Sequence, residues 1–261
     1  MKLNADFQAF AATHFNANQY VASPAYGVNR FLLDRIGDEK ARATTIVEYK
    51  PNSKFPEHQH IGGEEFLVLK GTFHDQFGSF PAGTYVRNPV DSVHAPWVED
   101  DGCTIFVKLL QMAEETEKDA KPLYVNWEEA KCSSKAQNTA FGVQVQMYHN
   151  AQTGERVHMC WIDAGKELTI EEDWCCGGEE LFVISGSILA SKHGRGDNEQ
   201  DEYHEWGWLR YPPGARRPTV TAGRQGAVLY RKTGHLTSKA LSLEKIQIDP
   251  ESEKVIVPND H

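Results

Sequence analysis

One stretch of this sequence occurs twice. Asp173-Trp174-Cys175-Cys176-Gly177-Gly178-Glu179-Glu180-Leu181-Phe182-Val183-Ile184-Ser185-Gly186 overlays His58 to Gly71 without a gap, at an offset of 115 residues (173 less 58). Further on, Trp208-Leu209-Arg210-Tyr211-Pro212-Pro213-Gly214 matches Tyr85-Val86-Arg87-Asn88-Pro89-Val90-Asp91. Such an internal repeat predicts two copies of one folding unit, and 261 residues are enough for two ordinary cores. The charged run from Gln111 to Lys121, which ends before Pro122, is the expected linker between them.

Within the first copy, short β segments at Arg30–Asp34, Thr44–Tyr49, Glu65–Leu69, Thr84–Arg87 and Cys103–Leu109 are separated by turn residues. Strands this short and regular predict an all-β barrel or jelly roll, in which inward positions alternate with outward ones. Ahead of it, Phe7, Phe10, Ala11 and His14 recur at helical spacing, which predicts a short amphipathic helix over residues 5–16 with His14 on its surface. At the far end, Lys245-Ile246-Gln247-Ile248 and Lys254-Val255-Ile256-Val257 flank Asp249-Pro250-Glu251, a hairpin signal and an edge to which a second protomer could add, giving a homodimer.

The chemistry concentrates in His58-Gln59-His60-Ile61-Gly62-Gly63-Glu64-Glu65. Side chains repeat every second residue along a strand, so His58 and His60 point to one face. Gly62-Gly63 permits a tight hairpin that would return the chain antiparallel and bring Glu64 beside them. His94 follows the turn-rich Pro89-Val90-Asp91-Ser92-Val93 and offers a third imidazole. Three imidazoles and a carboxylate suit one divalent first-row metal ion, Fe(II), Mn(II), Ni(II), Co(II) or Zn(II), with positions left open for a small molecule. Same-parity Phe66 faces inward from Glu64, whereas Glu65 points away. Phe66, Phe73, Tyr85 and Trp97 are the candidates to line a substrate pocket, each with plain core as its alternative.

This arrangement resembles the cupin family. Its first motif is matched from His to Gly by His58, His60, Glu64 and Gly71, and its second by Gly83, Pro89 and His94, with Asp91 in place of an internal Gly. Asp tolerates that turn. The flanking text, Gly62 to Leu69, Gly71-Thr72-Phe73, Tyr85 to Pro89 and Gly102 to Lys108, is similar to the cupin domain of ChrR-type zinc-dependent anti-sigma factors. The His-xxx-Cys-xx-Cys motif by which those factors grip a sigma factor is not present in the N-terminal region. The resemblance implies two tandem cupin domains: an N-terminal arm over 1–20, a metal-binding cupin over 21–120 and a degenerate second cupin over 121–261. In the second copy Asp173, Cys175, Glu179 and Arg217 stand at the ligand positions, and a fixed cation at Arg217 would pair with Asp173 or Glu179 and repel a metal. Zinc is the metal implied by ChrR, iron or manganese by cupin enzymes. The functions implied are a mononuclear metal-dependent dioxygenase of a small diketone or ketol, or a zinc-binding sensor module.

A net charge of -10 leaves no basic surplus for phosphates, so the expected partner is a small-molecule ligand, with no nucleic acid and no membrane. No stretch has the length of an apolar membrane span, and Met1 to Asp6 lacks the core of a signal peptide, so the expected location is cytoplasmic. Five cysteines without CxxC spacing read as reduced thiols buried as small core residues.

Overall fold

The structure, a computed structural model, describes residues 1–168, 176–191, 200–215 and 218–236. Its strands are β1 (Lys2–Leu3), β2 (Ala11–Thr13), β3 (Val21–Ala22), β4 (Val28–Ile36), β5 (Arg42–Tyr49), β6 (His58–His60), β7 (Glu64–Asp75), β8 (Gly78–Pro81), β9 (Thr84–Asn88), β10 (Ser92–His94), β11 (Cys103–Leu109), β12 (Leu123–Asn126), β13 (Ala136–Thr139), β14 (Gly142–His149), β15 (Arg156–Ile162), β16 (Glu179–Ser191), β17 (Gln200–His204), β18 (Trp208–Tyr211) and β19 (Val220–Thr233). Two short helices, α1 (Glu114–Glu117) and α2 (Trp127–Lys131), accompany them. The protein is therefore all-β.

Two compact units form. Unit one holds Met1–Ala5 and Asn16–Asn126, and unit two holds Asp6–Phe15 and the described residues from Trp127 onward. In unit one the order is β1-β4-β5-β11-β7-β9-β12, with β3 on β4, β8 on β7, and a separate ribbon of β6 and β10. In unit two it is β13-β14-β15-β19-β16-β18-β2, with β17 on β16. Alternate residues make one apolar core in each unit: Val28, Val47, Phe66, Val68, Val86 and Ile105 in unit one, Cys160, Leu181, Val183, Leu209 and Leu229 in unit two. Burying each large aliphatic or aromatic side chain contributes about 1.5–3 kcal/mol.

The repeat extends to the way the chain is threaded. β2 precedes the barrel of unit one but pairs with β18, whereas β12 precedes the barrel of unit two but pairs with β9. The registers correspond, with Thr13 opposite Trp208 where Val125 lies opposite Tyr85.

This threading overturns the predicted N-terminal helix. Residues 11–13 are strand, and the one helical turn nearby is a 3-10 turn at Ala17–Gln19. A helix of this length is marginal alone, whereas the edge of β18 offers backbone partners outright. The rings that suggested a helical face pack on unit two instead: Phe7 under the Arg210 guanidinium (4.5 Å), Phe10 on Tyr211 (5.1 Å) and His14, exposed as expected, stacked on Tyr203 (4.5 Å). The expected linker is likewise folded into unit one. Gln111 and Met112 are buried there, and Glu117 of α1 meets Arg87 at 3.1 Å, because Arg87 presents a buried guanidinium that an acid in the run can satisfy. The expected C-terminal hairpin lies outside the described residues. No helix among them is long and apolar enough to cross a membrane.

Candidate metal centre

The ribbon of β6 and β10 assembles three imidazoles. Antiparallel pairing sets His94 directly opposite His58 and Ser92 opposite His60, so His58, His60 and His94 share one face. Their ring centroids form a triangle with every side 4.8 Å. Asp91 takes φ 66° in the turn before β10, the left-handed conformation that Asp tolerates. Among the described residues this is the one group of three or more His, Cys, Asp or Glu whose donor atoms, all within 4.8 Å of one another, could share an ion.

Glu64 arrives by a different route from the expected hairpin. β6 does not pair with β7; the glycines carry the chain from the ribbon into the main sheet, where β7 lies between β11 and β9. Their bareness is needed for a close approach. A Cβ on Gly62 would stand 2.8 Å from the Leu110 Cα, and one on Gly63, at φ 72°, would stand 2.2 Å from the Met112 Sδ. Gly177 and Gly178 repeat this against Gly234 and Leu236. Glu64 Oε2 then lies 3.6 Å from Nε2 of both His60 and His94.

Neighbours orient each group. Pro56 offers only a carbonyl, 2.9 Å from His58 Nδ1, so that nitrogen donates and Nε2 keeps its lone pair. Asp75 does the same for His94 at 3.2 Å. Asn88 Nδ2 donates to Glu64 Oε2 at 3.1 Å. His60 Nε2 and His94 Nε2 stand 2.9 Å apart. Adjacent nitrogens on one octahedral ion with bonds of about 2.1 Å would be separated by about 3.0 Å, so the donor set fits a divalent cation.

Electrostatics act differently on the members of the set. Burial holds His60 below the ordinary imidazole pKa, with His94 and His58 adding to the effect against an opposing pull from Glu64. Burial also works against the charged form of His94, but the Asp75 hydrogen bond and the Glu64 and Asp75 charges outweigh it and raise its pKa. For Glu64 burial favours the neutral acid, yet His60, His94, the Asn88 bond and His58 together hold its pKa below the usual carboxylate value.

The cluster opens into a cavity of about 640 Å³ walled by Val28, Tyr49, Phe73, Val107 and Leu109 among others. Of the four expected pocket aromatics, Phe73 lines it. Phe66 is buried beneath Phe73, with centroids 4.7 Å apart. Tyr85 faces the other side of the sheet and donates to Glu65 Oε2 at 2.8 Å, because its register partner is Leu67 rather than Phe66. Trp97 stacks on His74, centroids 5.5 Å apart. Asp75, Asn88 and Tyr49 escaped the sequence reading. A bulge is the reason for Asp75: Thr104 pairs with Lys70 and Ile105 with Val68, so Leu69 is an extra residue, and Asp75 faces the site despite its odd count from Glu64.

In unit two, Asp173, Cys175 and Arg217 lie outside the described residues. Glu179 is buried and its Oε1 lies 2.6 Å from Arg231 Nε. Arg231 stands in register with Leu181 as Val107 does with Phe66, so a fixed cation occupies the position that Val107 has in the first cavity. Among the described residues a cation from β19 meets Glu179; the signal was an arginine inside Val228-Leu229-Tyr230-Arg231-Lys232. Cys103 and Cys160 are buried thiols, but Cys132 and Cys176 are exposed, being in turns rather than sheet interiors.

Two such barrels, one with three histidines and a glutamate facing its cavity, have the fold of a bicupin. Residues 8–113, less than half of the chain, match the family described as the ChrR Cupin-like domain, so that stretch is similar to cupins of the ChrR type. Comparison with curated proteins gives no match. Among solved structures, the chain is similar to a Pseudomonas aeruginosa protein provisionally described as glyoxylate-induced (TM-score 0.61, 13% identity, 87% of this chain and 88% of that one). It is also similar to a Nostoc punctiforme protein provisionally described as a dioxygenase (0.58, 12%, 92% and 84%). A third is salicylate 1,2-dioxygenase of Pseudoaminobacter salicylatoxidans with gentisate (0.51, 15%, 77% and 70%). At these identities the likeness is one of fold.

Proposed function

We propose that His58, His60, Glu64 and His94 hold one divalent metal ion, and that the protein is a mononuclear metal-dependent dioxygenase of a small diketone or ketol. The observation that carries this reading is the convergence of three imidazoles and one carboxylate on an apolar cavity large enough for such a molecule. A bound ion would supply Lewis-acid polarisation of a chelating substrate and, when redox-active, a route for electrons to dioxygen. The chain's own residues prepare the rest. Pro56 and Asp75 fix the His58 and His94 rings, Asn88 fixes Glu64, and Phe73, Val107 and Leu109 exclude water. Burial and the Glu64 charge push the Tyr49 hydroxyl well above its ordinary pKa, so it stays protonated and is a hydrogen-bond donor on the cavity wall.

The test is oxygen consumption by protein reconstituted anaerobically with Fe(II) and offered β-diketones and aryl ketols. Substrate-dependent uptake that disappears in His94→Ala supports the dioxygenase. Tightly held zinc without uptake supports the second reading, a zinc-binding sensor module, which the ChrR family match over 8–113 favours.

A further inference from the structure

The cavity of unit one has a second polar pole besides its histidines. Arg30 lies on β4, opposite Val47 of β5, and both line the cavity. In sheet order β4 is separated from β7 by β5 and β11, so Arg30 belongs to a different part of the wall from Glu64. Its guanidinium is poorly engaged. Nη1 and Nη2 reach the Glu39 carboxylate at 3.4 and 3.3 Å, long for charge-assisted bonds, and Glu39 is 62% exposed. Arg30 Nε is buried without a hydrogen-bond partner. A buried N–H that bonds nothing, on a residue of the cavity wall, is a donor that an acceptor brought by a ligand would satisfy. Lys40 lines the same wall, so the cavity carries two cations and one exposed acid there.

We propose that Arg30 is the anchor for a carboxylate on the substrate, whose other end carries the oxygens directed at the histidine cluster. The ligand is thus a monocarboxylate with an apolar body and a distal pair of ketone, enol or hydroxyl oxygens. Its carboxylate takes the Nε–Nη2 edge of the guanidinium, the planar fork that matches carboxylate geometry, and displaces Glu39 from Nη2. Glu39 is then a weak internal competitor that occupies Arg30 between turnovers. Tyr49, whose hydroxyl makes no hydrogen bond among the described residues, also lines the cavity and can donate to the ligand. This deepens the dioxygenase reading and rests on it for the fate of the ligand, though not for its binding.

The experiment is calorimetric titration of the full chain, metal-loaded and metal-stripped, with para-carboxybenzoylacetone and with its methyl ester. The acid is expected to bind at least about tenfold more tightly than the ester in both forms. Arg30→Met should abolish that preference while leaving ester binding intact, which also reports that the variant is folded. Glu39→Gln should tighten binding of the acid and not of the ester. Equal binding of acid and ester by the unmodified protein, or a preference that survives in Arg30→Met, would overturn the assignment. Loss of oxygen uptake with both ligands, alongside an intact Arg30-dependent preference, would count against the dioxygenase and leave the anchor standing.

Discussion

The Asp75 carboxylate lies 3.2 Å from His94 Nδ1 and turns the opposite nitrogen of that ring toward His60 and Glu64. Asp75 touches no cavity ligand position itself; it acts by fixing a tautomer and a ring angle. Asp75→Asn keeps an acceptor for the Phe77 N–H, which Asp75 Oδ1 binds at 2.8 Å, but removes the charge. We predict metal affinity about 10- to 100-fold weaker with the fold retained, measured by competition with a chelator of known affinity.

Gly71, which closes the first motif, sits at φ 68° with the Gly102 carbonyl oxygen 2.1 Å from where a Cβ would be, and Gly186 repeats this against Gly226. Both the backbone conformation and the contact exclude a side chain. Gly71→Ala is expected to cost about 2–4 kcal/mol, read as a lowered midpoint in denaturant. An unchanged midpoint would show that the backbone can move away there.

The Arg231–Glu179 pair is predicted to support unit two. Arg231→Met strips a buried carboxylate of this cation and should cost about 3–5 kcal/mol, while adding Glu179→Gln should recover much of the loss. Equal destabilisation in the single and double variants would mean that the pair is not coupled.

How much of this was legible in the sequence follows from the range of the interactions. His58, His60 and Glu64 were readable because strand parity and a glycine turn act over a few residues, and His94 because the second motif keeps its spacing from Pro89. Asp75 was hidden by the bulge at Leu69, which reverses parity midway along β7. The strand at Ala11–Thr13 was hidden for another reason: its partner Trp208–Arg210 lies nearly two hundred residues away, and Phe7, Phe10 and His14 fit a helical stripe equally well. Arg30 resembled any other strand residue until the cavity placed it.

His158, on β15, is buried, and burial together with the charges of Arg231, Arg156 and His149 lowers its pKa to about 3. Unfolded chains bind a proton there below pH ~6.5 while the folded protein does not until pH ~3. Its contribution to stability is therefore complete above pH ~6.5 and falls by about 1.4 kcal/mol per unit as pH drops toward 3. Replacing it, as in His158→Gln, should flatten that part of the stability profile measured by denaturant titration. A profile with the same slope in both proteins would assign the acid sensitivity to other groups.

Whether His58, His60, Glu64 and His94 hold a metal ion is decided by elemental analysis of the full chain purified without added metal or a histidine tag, beside His60→Ala and His94→Ala. Close to one divalent first-row ion per chain is expected in the unmodified protein, and little or none in either variant that remains folded by circular dichroism. Absence of metal from the unmodified protein even after loading with Fe(II), Mn(II) or Zn(II), or equal metal in all three proteins, would contradict it.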